Sequence, residues 1–545
     1  MKSFLIVTTH YVADILGFVG LMILSKLWGG FARDAIGIIG FAISFISLFG
    51  IITDLGFSAA HVKRVSEGKN LGRCIGTYAA LKLSLTSLMV LTIFVSIYVW
   101  KNVFHGMFYD ATTESVIIVM IFYTIFTNLQ SIATQTFIGK KEIAKLQTTT
   151  LFENIIKVPL TIVVALAGVN VMGRAISPAV TWPEFLQPLQ EFLAIHATGS
   201  LAMTYVFGVM ATFFMGMWLM KGYPVSRPTK ESTKNYLSFA LPIAISSIIS
   251  TIAFNIDKVM IGYYWTSANV GDYFVVQRIL GFITVLYLSV GTLLFPTISE
   301  FHSKNDLDGV RKTVLLSERY ISMIMIPPLA FMIVFSKQFI NIFFDSAFLP
   351  AAPVLAVMVF YAFIRAMSTP YSTLISGMNR PDISAKLGII LCFSNIFLNF
   401  LFIPRNGLLS HIEIGNYIIS INGATGAALA TAISFGIPFL IQKWIAKRMV
   451  KINILQSHTP RHIIAGVIMA GALYYLAYKS PLLPEIRWFI LMGLAGLGLL
   501  IYIGVLFALQ EFKKKEFDFF IGIIRPKEMV SYLKSELKRN NNDKK

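Results

Sequence analysis

The sequence predicts an all-α integral membrane protein of about fourteen transmembrane helices, arranged as two parallel six-helix repeats followed by two further helices. Of its 545 residues, 56% are hydrophobic and only 13% are charged. Soluble domains carry roughly 25% charged residues. Here the deficit lies in apolar runs of about 20 residues, the length that a helix needs to cross a bilayer core. Because backbone groups in lipid must be satisfied within the segment, these runs predict helices.

The apolar runs can be delimited along the whole chain. The first six lie at 8–27, 35–57, 74–98, 115–137, 149–170 and 198–220. The next six lie at 236–262, 272–297, 318–337, 350–375, 384–403 and 422–443, and two more lie at 461–479 and 486–508. These runs predict four regions: an N-terminal six-helix lobe (1–222), a C-terminal six-helix lobe (223–450), helices 13 and 14 (451–510) and a basic cytoplasmic tail (511–545).

Basic residues predict the orientation in the membrane. Every second connection between the predicted helices carries a cluster of basic residues, such as Lys63-Arg64, Lys140-Lys141 and Lys447-Arg448. The connections on the opposite side carry only scattered basic residues. Positive loops stay on the cytoplasmic side, so both termini are predicted to be cytoplasmic, in the cell (plasma) membrane. This bias accounts for most of the net charge of +19, and no nucleic-acid partner is expected. We expect the basic tail to meet anionic membrane lipids.

Two of the predicted outer connections, 171–197 and 404–421, are longer than a turn. Either can form an interfacial helix that shapes an outer gate, or can simply lie on the membrane surface.

An internal repeat relates the two halves. Lys26, Gly37 and Gly56 in the first half correspond to Lys258, Gly271 and Pro296 in the second. Six helices separate the copies, an even number, so equivalent helices point the same way. Parallel repeats of this kind place a transported substrate between the two halves.

Three passages resemble the polysaccharide-flippase (Wzx-like) branch of the multidrug/oligosaccharidyl-lipid/polysaccharide (MOP) exporter superfamily, which also contains the lipid II flippases. They are Ile36-Gly37 with Thr53-Asp54-Leu55-Gly56; Ala240-Leu241-Pro242 with Asp257, Val270-Gly271-Asp272-Tyr273 and Gln277-Arg278; and Gly377-Met378-Asn379 with Asn395, Asn399 and Gly423-Ala424-Thr425-Gly426. The resemblance implies a flippase that moves a polyprenyl-(di)phosphate-linked oligosaccharide from the cytoplasmic to the outer leaflet by alternating access. Glycan-assembly enzymes are its implied partners.

Charged residues inside the predicted spans are the candidate site residues, because a charge in lipid usually faces a cavity or a partner. Basic side chains suit a phosphate headgroup, and Lys26 and Arg278 match cavity positions of the lipid II flippases. We therefore predict that four basic residues bind the headgroup phosphate: Arg278, Arg365, Lys26 and Lys258. The alternatives are structural ion pairs for the arginines, with Asp257, Glu153 or Asp54, and snorkelling for the lysines.

Acidic residues in the spans give the candidates for a coupling ion. Asp14 and Asp257 are predicted to take part in Na⁺ or H⁺ exchange, with an ion pair to Arg278 or Lys26 as the other interpretation of Asp14. Glu153 and Lys157 stand four residues apart on one helix, a spacing that predicts a structural pair.

The sequence holds no motif for an enzyme. There is no phosphate-binding GxxxxGK[ST] loop and no HExxH motif, and neither Cys74 nor Cys392 stands at metal-ligand spacing. We therefore expect a transporter with no catalytic residues, no bound metal and no cofactor beyond a coupling ion. The alternatives are a cation-coupled multidrug antiporter of the same superfamily and an integral-membrane glycan polymerase or ligase.

Overall fold

The computed structural model of the protein describes residues 2–106, 108, 111–171, 174–177, 180–408, 411–414, 417–420, 423–452, 458–479 and 486–511. Only the backbone is described at 2–8, 111, 171, 174–177, 411–414, 417–420 and several positions between 241 and 293. The predicted basic tail, from 512 onward, lies outside the described residues.

The described chain is built almost entirely of α-helices. They are α1 (Lys2–Trp28), α2 (Gly30–Phe49), α3 (Phe57–Ser66), α4 (Leu71–Asn102), α5 (Ala111–Gly139), α6 (Ile143–Ala167), α7 (Gln187–Ile195), α8 (Ala197–Leu219), α9 (Lys230–Tyr264), α10 (Ser267–Ser303), α11 (Leu307–Val334), α12 (Ser336–Phe343), α13 (Ala351–Gly377), α14 (Pro381–Phe402), α15 (Gly423–Val450), α16 (Thr459–Tyr478) and α17 (Trp488–Ala508).

A long helix occupies each predicted span. Within the described residues, 12 helices are long and apolar enough to cross a membrane. The two other long helices, α9 and α10, contain positions described by backbone alone and are not among those 12. The all-helical membrane fold is therefore confirmed, while the count of fourteen spans and the orientation of the termini stay predictions.

The helix observed at the second predicted span ends before the apolar run does. Helix α2 ends at Phe49 and continues as a single 3₁₀ turn, Gly50–Thr53. Gly56 then adopts φ 84°, a left-handed conformation that glycine reaches without strain, and the chain turns there into the short helix α3. The prediction of one helix over 35–57 was wrong at its end, because apolar residues follow the turn as well as precede it and only the backbone reveals where the chain changes direction.

Two short hairpins lie in the long connections. Strands β1 (Val169–Val171) and β2 (Arg174–Ser177) pair antiparallel, as do β3 (His411–Ile414) and β4 (Tyr417–Ser420). A helix, α7, does form in the connection 171–197, whereas within 404–421 the described residues 411–414 and 417–420 form the hairpin β3–β4 instead of a helix.

The chain divides into two compact units, of which the first contains 1–317 and 335–452. We call the N-terminal lobe (1–222) the first half and the C-terminal lobe (223–450) the second half. In the first half α5 packs on α8, α6 packs on both α1 and α8, and α2 packs on α5. Each of these pairs has a counterpart in the second half: α13 with α15, α14 with both α9 and α15, and α10 with α13. The repeat predicted from the sequence therefore reappears as a repeated packing pattern.

The two halves meet where α2 packs along α10. A Cβ atom added to Gly37 would lie 1.7 Å from the Ser267 carbonyl oxygen, and one added to Gly271 would lie 2.2 Å from the Arg33 carbonyl oxygen. Arg33 corresponds to Ser267 in the repeat, and Gly37 corresponds to Gly271, since the two pairs are separated by the same number of residues. Each glycine therefore contacts the residue that corresponds to the other's contact, so the two contacts are reciprocal. Reciprocal contacts are the mark of a two-fold interface, and here the two-fold relates the repeats.

The second unit contains 318–334 and the chain from 453 onward. Helices α16 and α17 pack together, and the buried carboxylate of Glu511 follows α17. Arg319 Nε lies 2.6 Å from this carboxylate, His458 Nδ1 2.8 Å and Arg461 Nη1 3.2 Å. Burial raises the pKa of the Glu511 carboxyl, but the hydrogen bonds to His458 and Arg319 outweigh burial and hold it below its usual value. The carboxylate thus fixes the last described residue of the chain.

Candidate functional site

Arg278 lies within α10 and is an exposed residue. The guanidinium carbon lies 4.9 Å from the centroid of the Phe274 ring. Tyr123 in α5 and Tyr205 in α8 are within electrostatic range of the guanidinium. In the part of the chain that the structure describes, no carboxylate forms an ion pair with it. Arg278 thus belongs to the second half, faces helices of the first half and keeps its charge available.

Three more charged residues belong to the same part of the molecule. Lys157 Nζ lies 3.7 Å from Glu153 Oε1 on α6, so the predicted pair forms. Lys157 is also within electrostatic range of Asp14 in α1 and of Arg278. We call Asp14, Glu153, Lys157 and Arg278 the central charge cluster. Its members come from α1 and α6 of the first half and from α10 of the second, at the boundary where repeat transporters bind their substrates.

Arg365 lies apart from that cluster, in an aromatic pocket of the second half. Its guanidinium carbon lies 5.2 Å from the Phe435 ring and 5.8 Å from the Phe254 ring. Tyr361 lies within electrostatic range of the guanidinium, and Nε is buried without a hydrogen-bond partner among the described residues. Arginine stacks readily on aromatic faces, and this packing leaves one donor unused.

Asp257 is the centre of a buried polar site in the second half. Its carboxylate accepts hydrogen bonds from Asn399 Nδ2 at 2.6 Å, from the Tyr273 hydroxyl at 2.8 Å and from Thr431 Oγ1 at 2.8 Å. The donors come from α10, α14 and α15, while Asp257 itself lies on α9. We call these four residues the Asp257 site. All four are buried.

The Asp257 site has the oxygen atoms that a hard cation prefers. Besides the carboxylate of Asp257 and the hydroxyl of Thr431, it contains Asn399 Oδ1, which is buried without a hydrogen-bond partner among the described residues. Asn395 Oδ1 lies 3.1 Å from Asn399 Nδ2 and adds a further amide oxygen. Carboxylate, amide and hydroxyl oxygens are ligands of Na⁺-like hard cations, so the residues present fit such an ion.

The two predicted lysines already have partners. Lys258 is buried, and its Nζ donates to the Phe254 carbonyl oxygen at 3.0 Å and to Gln277 Oε1 at 3.2 Å. Lys26 Nζ donates to the Asn341 carbonyl oxygen at 2.8 Å and to the carbonyl oxygen of Phe344. Those carbonyls end helix α12, where a cation is favourable. Lys26 therefore ties α1 to α12, and a role for either lysine in phosphate binding stays a prediction.

Asp54 is not the partner of either deep arginine. Its carboxylate accepts a hydrogen bond from the Ser58 backbone nitrogen at 3.1 Å and lies 3.6 Å from Lys82 Nζ, which is buried. Asp54 therefore fixes the turn between the 3₁₀ segment and α3.

An ion pair that the sequence did not predict joins the two halves beside Gly37. Arg33 Nε donates to Asp272 Oδ1 at 2.8 Å, and Arg33 Nη2 donates to Asp272 Oδ2 at 2.6 Å. The Asp272 side chain is 2% exposed and that of Arg33 22% exposed. Such a bidentate pair is both strong and directional. By the orientation predicted from the basic residues, this is the outer end of the molecule.

At the opposite end, His61 joins α3 and α5 to α9. Its Nδ1 lies 2.9 Å from the Tyr236 hydroxyl and its Nε2 lies 2.9 Å from Thr136 Oγ1. Burial lowers the pKa of His61 to about 3, so the ring is neutral. Sequence reasoning gave His61 no role, because a single histidine outside any motif carries no signal.

Apolar helices in two halves with the same packing, and charged residues at the boundary between them, define a multi-pass membrane protein built as an internal repeat. The structure is similar to a lipid II flippase, MurJ, in an inward closed conformation, with a TM-score of 0.68 and 16% identity over 95% of this chain and 99% of that one. It is also similar to an inward-facing multidrug resistance MATE family transporter of the MOP superfamily, with a TM-score of 0.61 and 12% identity over 82% of this chain and 94% of that one. At these identities the likeness shows the fold.

Residues 1–302 match the polysaccharide biosynthesis protein family and residues 242–401 match the MatE family. The first match covers more than half of the chain, so the chain belongs to the polysaccharide biosynthesis protein family, in the MOP superfamily. A relative in Haloferax volcanii, named "Probable low-salt glycan biosynthesis flippase Agl15", is 22% identical over 521 residues, which are 94% of this chain and 98% of that protein. The family resemblance predicted from the sequence passages is confirmed.

Proposed function

We propose that this protein is a flippase that moves a polyprenyl-(di)phosphate-linked oligosaccharide from the cytoplasmic to the outer leaflet by alternating access. The observation that carries the proposal is Arg278, an exposed arginine at the boundary between the halves with no ion-pair partner among the described residues. A phosphate bearing one or more negative charges is the natural partner for such a group, since the planar fork matches two phosphate oxygens. Membership of the polysaccharide biosynthesis protein family supports the same cargo.

The neighbours of Arg278 suit a headgroup that carries both phosphate and sugar. Lys157 adds a second cation, while Glu153 and Asp14 are acceptors for sugar hydroxyls. Arg365, with its unused Nε donor, is a second phosphate ligand only if the headgroup reaches the aromatic pocket of the second half.

Alternating access requires that the contact between the halves open and close. The Arg33–Asp272 pair and the contact of Gly37 with α10 hold the predicted outer end together. We propose that outward opening separates these groups and lets the headgroup leave toward the outer leaflet. The cargo shifts this equilibrium only through a difference in its affinity for the two states.

The Asp257 site is the proposed coupling-ion site. A cation bound by the Asp257 carboxylate and by Asn399 Oδ1 would replace the hydrogen bonds that tie α9 to α14 and α15. Na⁺ fits the oxygen set, and protonation of Asp257 is the other means of exchange. Asp14 stays a second candidate, because it lies in the central charge cluster and would couple an ion directly to the headgroup.

The proposal is tested by mass spectrometry of lipid extracts from cells depleted of the protein. A polyprenyl-linked glycan that accumulates and is protected from external glycosidase would identify both the activity and the cargo. Complementation with an Arg278→Gln/Arg365→Gln variant is expected to leave the lipid accumulated, since both deep guanidinium groups are lost.

The matched control is Arg448→Gln. Arg448 is an exposed arginine at the end of α15, stacked on Trp444 at 3.7 Å. This variant is expected to clear the accumulated lipid at the wild-type rate. If the double variant also clears it at that rate, the phosphate-binding role of the two arginines is wrong. If depletion leads to no accumulation, the flippase proposal itself is wrong, and cation-driven drug efflux becomes the activity to measure.

A further inference from the structure

A polar cavity lies at the end predicted to be cytoplasmic, and no residue of the central charge cluster lines it. Its volume is about 390 Å³, within the range of small-molecule sites. The walls come from the end of α3, the start of α4 and the first turns of α9. The lining includes three basic residues, one acidic residue and two asparagines: Arg64, Lys69, Arg73, Glu231, Asn70 and Asn235.

The basic residues of this cavity are only partly neutralised. Arg64 Nη1 lies 3.0 Å from Glu67 Oε2 and Nη2 donates to the Asn235 carbonyl oxygen at 3.2 Å, but Nε is buried without a partner among the described residues. Lys69 and Arg73 are exposed and form no ion pair in the described part of the chain. At least two positive charges therefore face the cavity without an opposing carboxylate of their own.

Two long helices begin at the cavity and add to its positive potential. Helix α4 starts after Asn70, whose side chain accepts a hydrogen bond from the Arg73 backbone nitrogen at 3.0 Å. Helix α9 starts after Thr229, whose hydroxyl accepts a hydrogen bond from the Ser232 backbone nitrogen at 3.2 Å. A helix start carries a partial positive charge that favours anions. Here it reinforces three basic side chains in one cavity.

The cavity is built from both halves of the molecule. The segment that joins the halves is fastened to α4, since the Ser226 backbone nitrogen donates to the Gly72 carbonyl oxygen at 3.0 Å. At Gly76 a Cβ atom would lie 1.8 Å from the Ser226 carbonyl oxygen, so this approach requires glycine. A ligand between Arg73 and Asn235 would touch the first half and the second half together.

We propose that this cavity binds the phosphate-bearing headgroup of the transported lipid, a sugar phosphate ester, on the predicted cytoplasmic side before it reaches the central charge cluster. The inference rests on the proposed function and adds a second substrate site to it. Lys69, Arg73 and the guanidinium of Arg64 bind the phosphate oxygens, because a cation and a phosphate form strong charge-assisted hydrogen bonds. The carboxylate of Glu231, which an isolated phosphate would repel, accepts hydrogen bonds from sugar hydroxyls.

The test uses the purified full-length protein in phosphatidylcholine nanodiscs. Calorimetric titration measures the binding of glucose 1-phosphate, which carries both phosphate and sugar, and of inorganic phosphate, which carries phosphate alone. Discs loaded with a polyprenyl-diphosphate-linked sugar provide the lipid as a competitor. The variant is Lys69→Gln/Arg73→Gln. The control is Lys221→Gln/Arg227→Gln, which removes two exposed charges of the same connection region outside the cavity lining.

Glucose 1-phosphate is expected to bind the wild type and the control equally and the variant about tenfold or more weakly, the effect of losing two charge-assisted bonds. The lipid competitor is expected to displace it. Equal binding by variant and control would overturn the inference. Inorganic phosphate that binds as tightly as glucose 1-phosphate, with no competition by the lipid, would also overturn it, because the cavity would then be a free-phosphate site.

A different experiment tests the flippase proposal itself: that proposal is wrong if no glycan lipid accumulates when the protein is depleted. Wild-type transport and unchanged binding in Lys69→Gln/Arg73→Gln, together with loss of transport in Arg278→Gln, would overturn this inference and leave the flippase proposal standing. Both substitutions lie on exposed side chains, and an unchanged helical circular dichroism spectrum would verify that the variant is folded.

Discussion

Arg33 in α2 holds Asp272 in α10 through two parallel hydrogen bonds, of 2.8 Å and 2.6 Å, across the boundary between the two halves. The pair stands beside the reciprocal contacts of Gly37 and Gly271. Charge and close packing therefore act at the same place to keep this end of the boundary closed.

Asp272→Asn is expected to open that end of the boundary. Breaking a largely buried ion pair from one side costs about 3–5 kcal/mol, enough to shift a two-state population more than tenfold. Distance measurements between spin labels in the first turns of α2 and α10 should show a new, longer distance. The swapped variant Arg33→Asp/Asp272→Arg should restore the short one.

The control for that experiment is Lys101→Gln. Lys101 pairs with Glu114 at 2.9 Å within the first half, with both side chains substantially exposed. Exposed pairs contribute about 0–1 kcal/mol, so the distance distribution should not change. An unchanged distribution in Asp272→Asn as well would mean that the pair does not hold the halves together.

Gly37→Ala is expected to destabilise the protein while Gly50→Ala is tolerated. The added Cβ at Gly37 would meet the Ser267 carbonyl at 1.7 Å, whereas nothing lies within 4 Å of a Cβ at Gly50. Overpacking against backbone costs about 1–3 kcal/mol or more. Thermal unfolding of the purified variants measures the difference, and equal midpoints for the two variants would contradict the close helix contact.

Asp257→Asn is expected to abolish stabilisation by Na⁺. If Na⁺ binds the Asp257 site, replacing K⁺ by Na⁺ raises the unfolding midpoint of the wild type, because a ligand that binds only the folded state stabilises it. The neutral amide removes the charge that binds the ion. Asp308→Asn, which loses only an exposed carboxylate paired with Arg311, should respond to Na⁺ like the wild type. A sodium response retained in Asp257→Asn would place the ion elsewhere.

Glu142→Gln is expected to remove part of the acid sensitivity of the fold. Burial raises the pKa of the Glu142 carboxyl, but hydrogen bonds from Tyr223, Lys145 and Lys140 outweigh burial and lower it from 4.5 to about 2. A depressed folded-state pKa stabilises the protein above the unfolded-state value and loses that effect as the pH falls from about 4.5 toward 2.

The stabilisation from Glu142 is expected to be about 1 kcal/mol, because the group is partly solvated. Unfolding midpoints between pH 3 and pH 6 should therefore fall more steeply for the wild type than for Glu142→Gln. Glu300→Gln is a suitable control, since Glu300 pairs with Lys304 on a fully solvated helix surface. Parallel curves for wild type and Glu142→Gln would show that the carboxylate does not stabilise the fold.

The helices could be predicted from the sequence because lipid leaves the backbone no other way to satisfy its hydrogen bonds. The turn at Asp54 and Gly56 could not, since apolar residues stand on both sides of it and hydropathy does not report a positive φ. The repeat was visible because Gly37 and Gly271 each need the space that only glycine leaves, and each marks the same position in its half.

The candidate site could be predicted only in part. Arg278 and Asp257 stand out because a charge within an apolar run is costly and therefore meaningful. The partners of Asp257 do not stand out, since Asn399 and Thr431 are common residues far away along the chain. The role of Arg33 could not be predicted, because it lies at a helix end and not within an apolar run. A charge there can reach water and needs no partner.

The reciprocal contact of Gly37 and Gly271 has a consequence for the ancestry of the fold. In a homodimer of a single six-helix ancestor, one glycine position would form this contact twice, because the two-fold axis relates the glycine of each subunit to the same glycine of the other. Gene duplication would then transmit a working interface in a single step. Afterwards each copy could diverge in its charges, as Arg278 and Asp257 have in the second half, provided that neither glycine was lost.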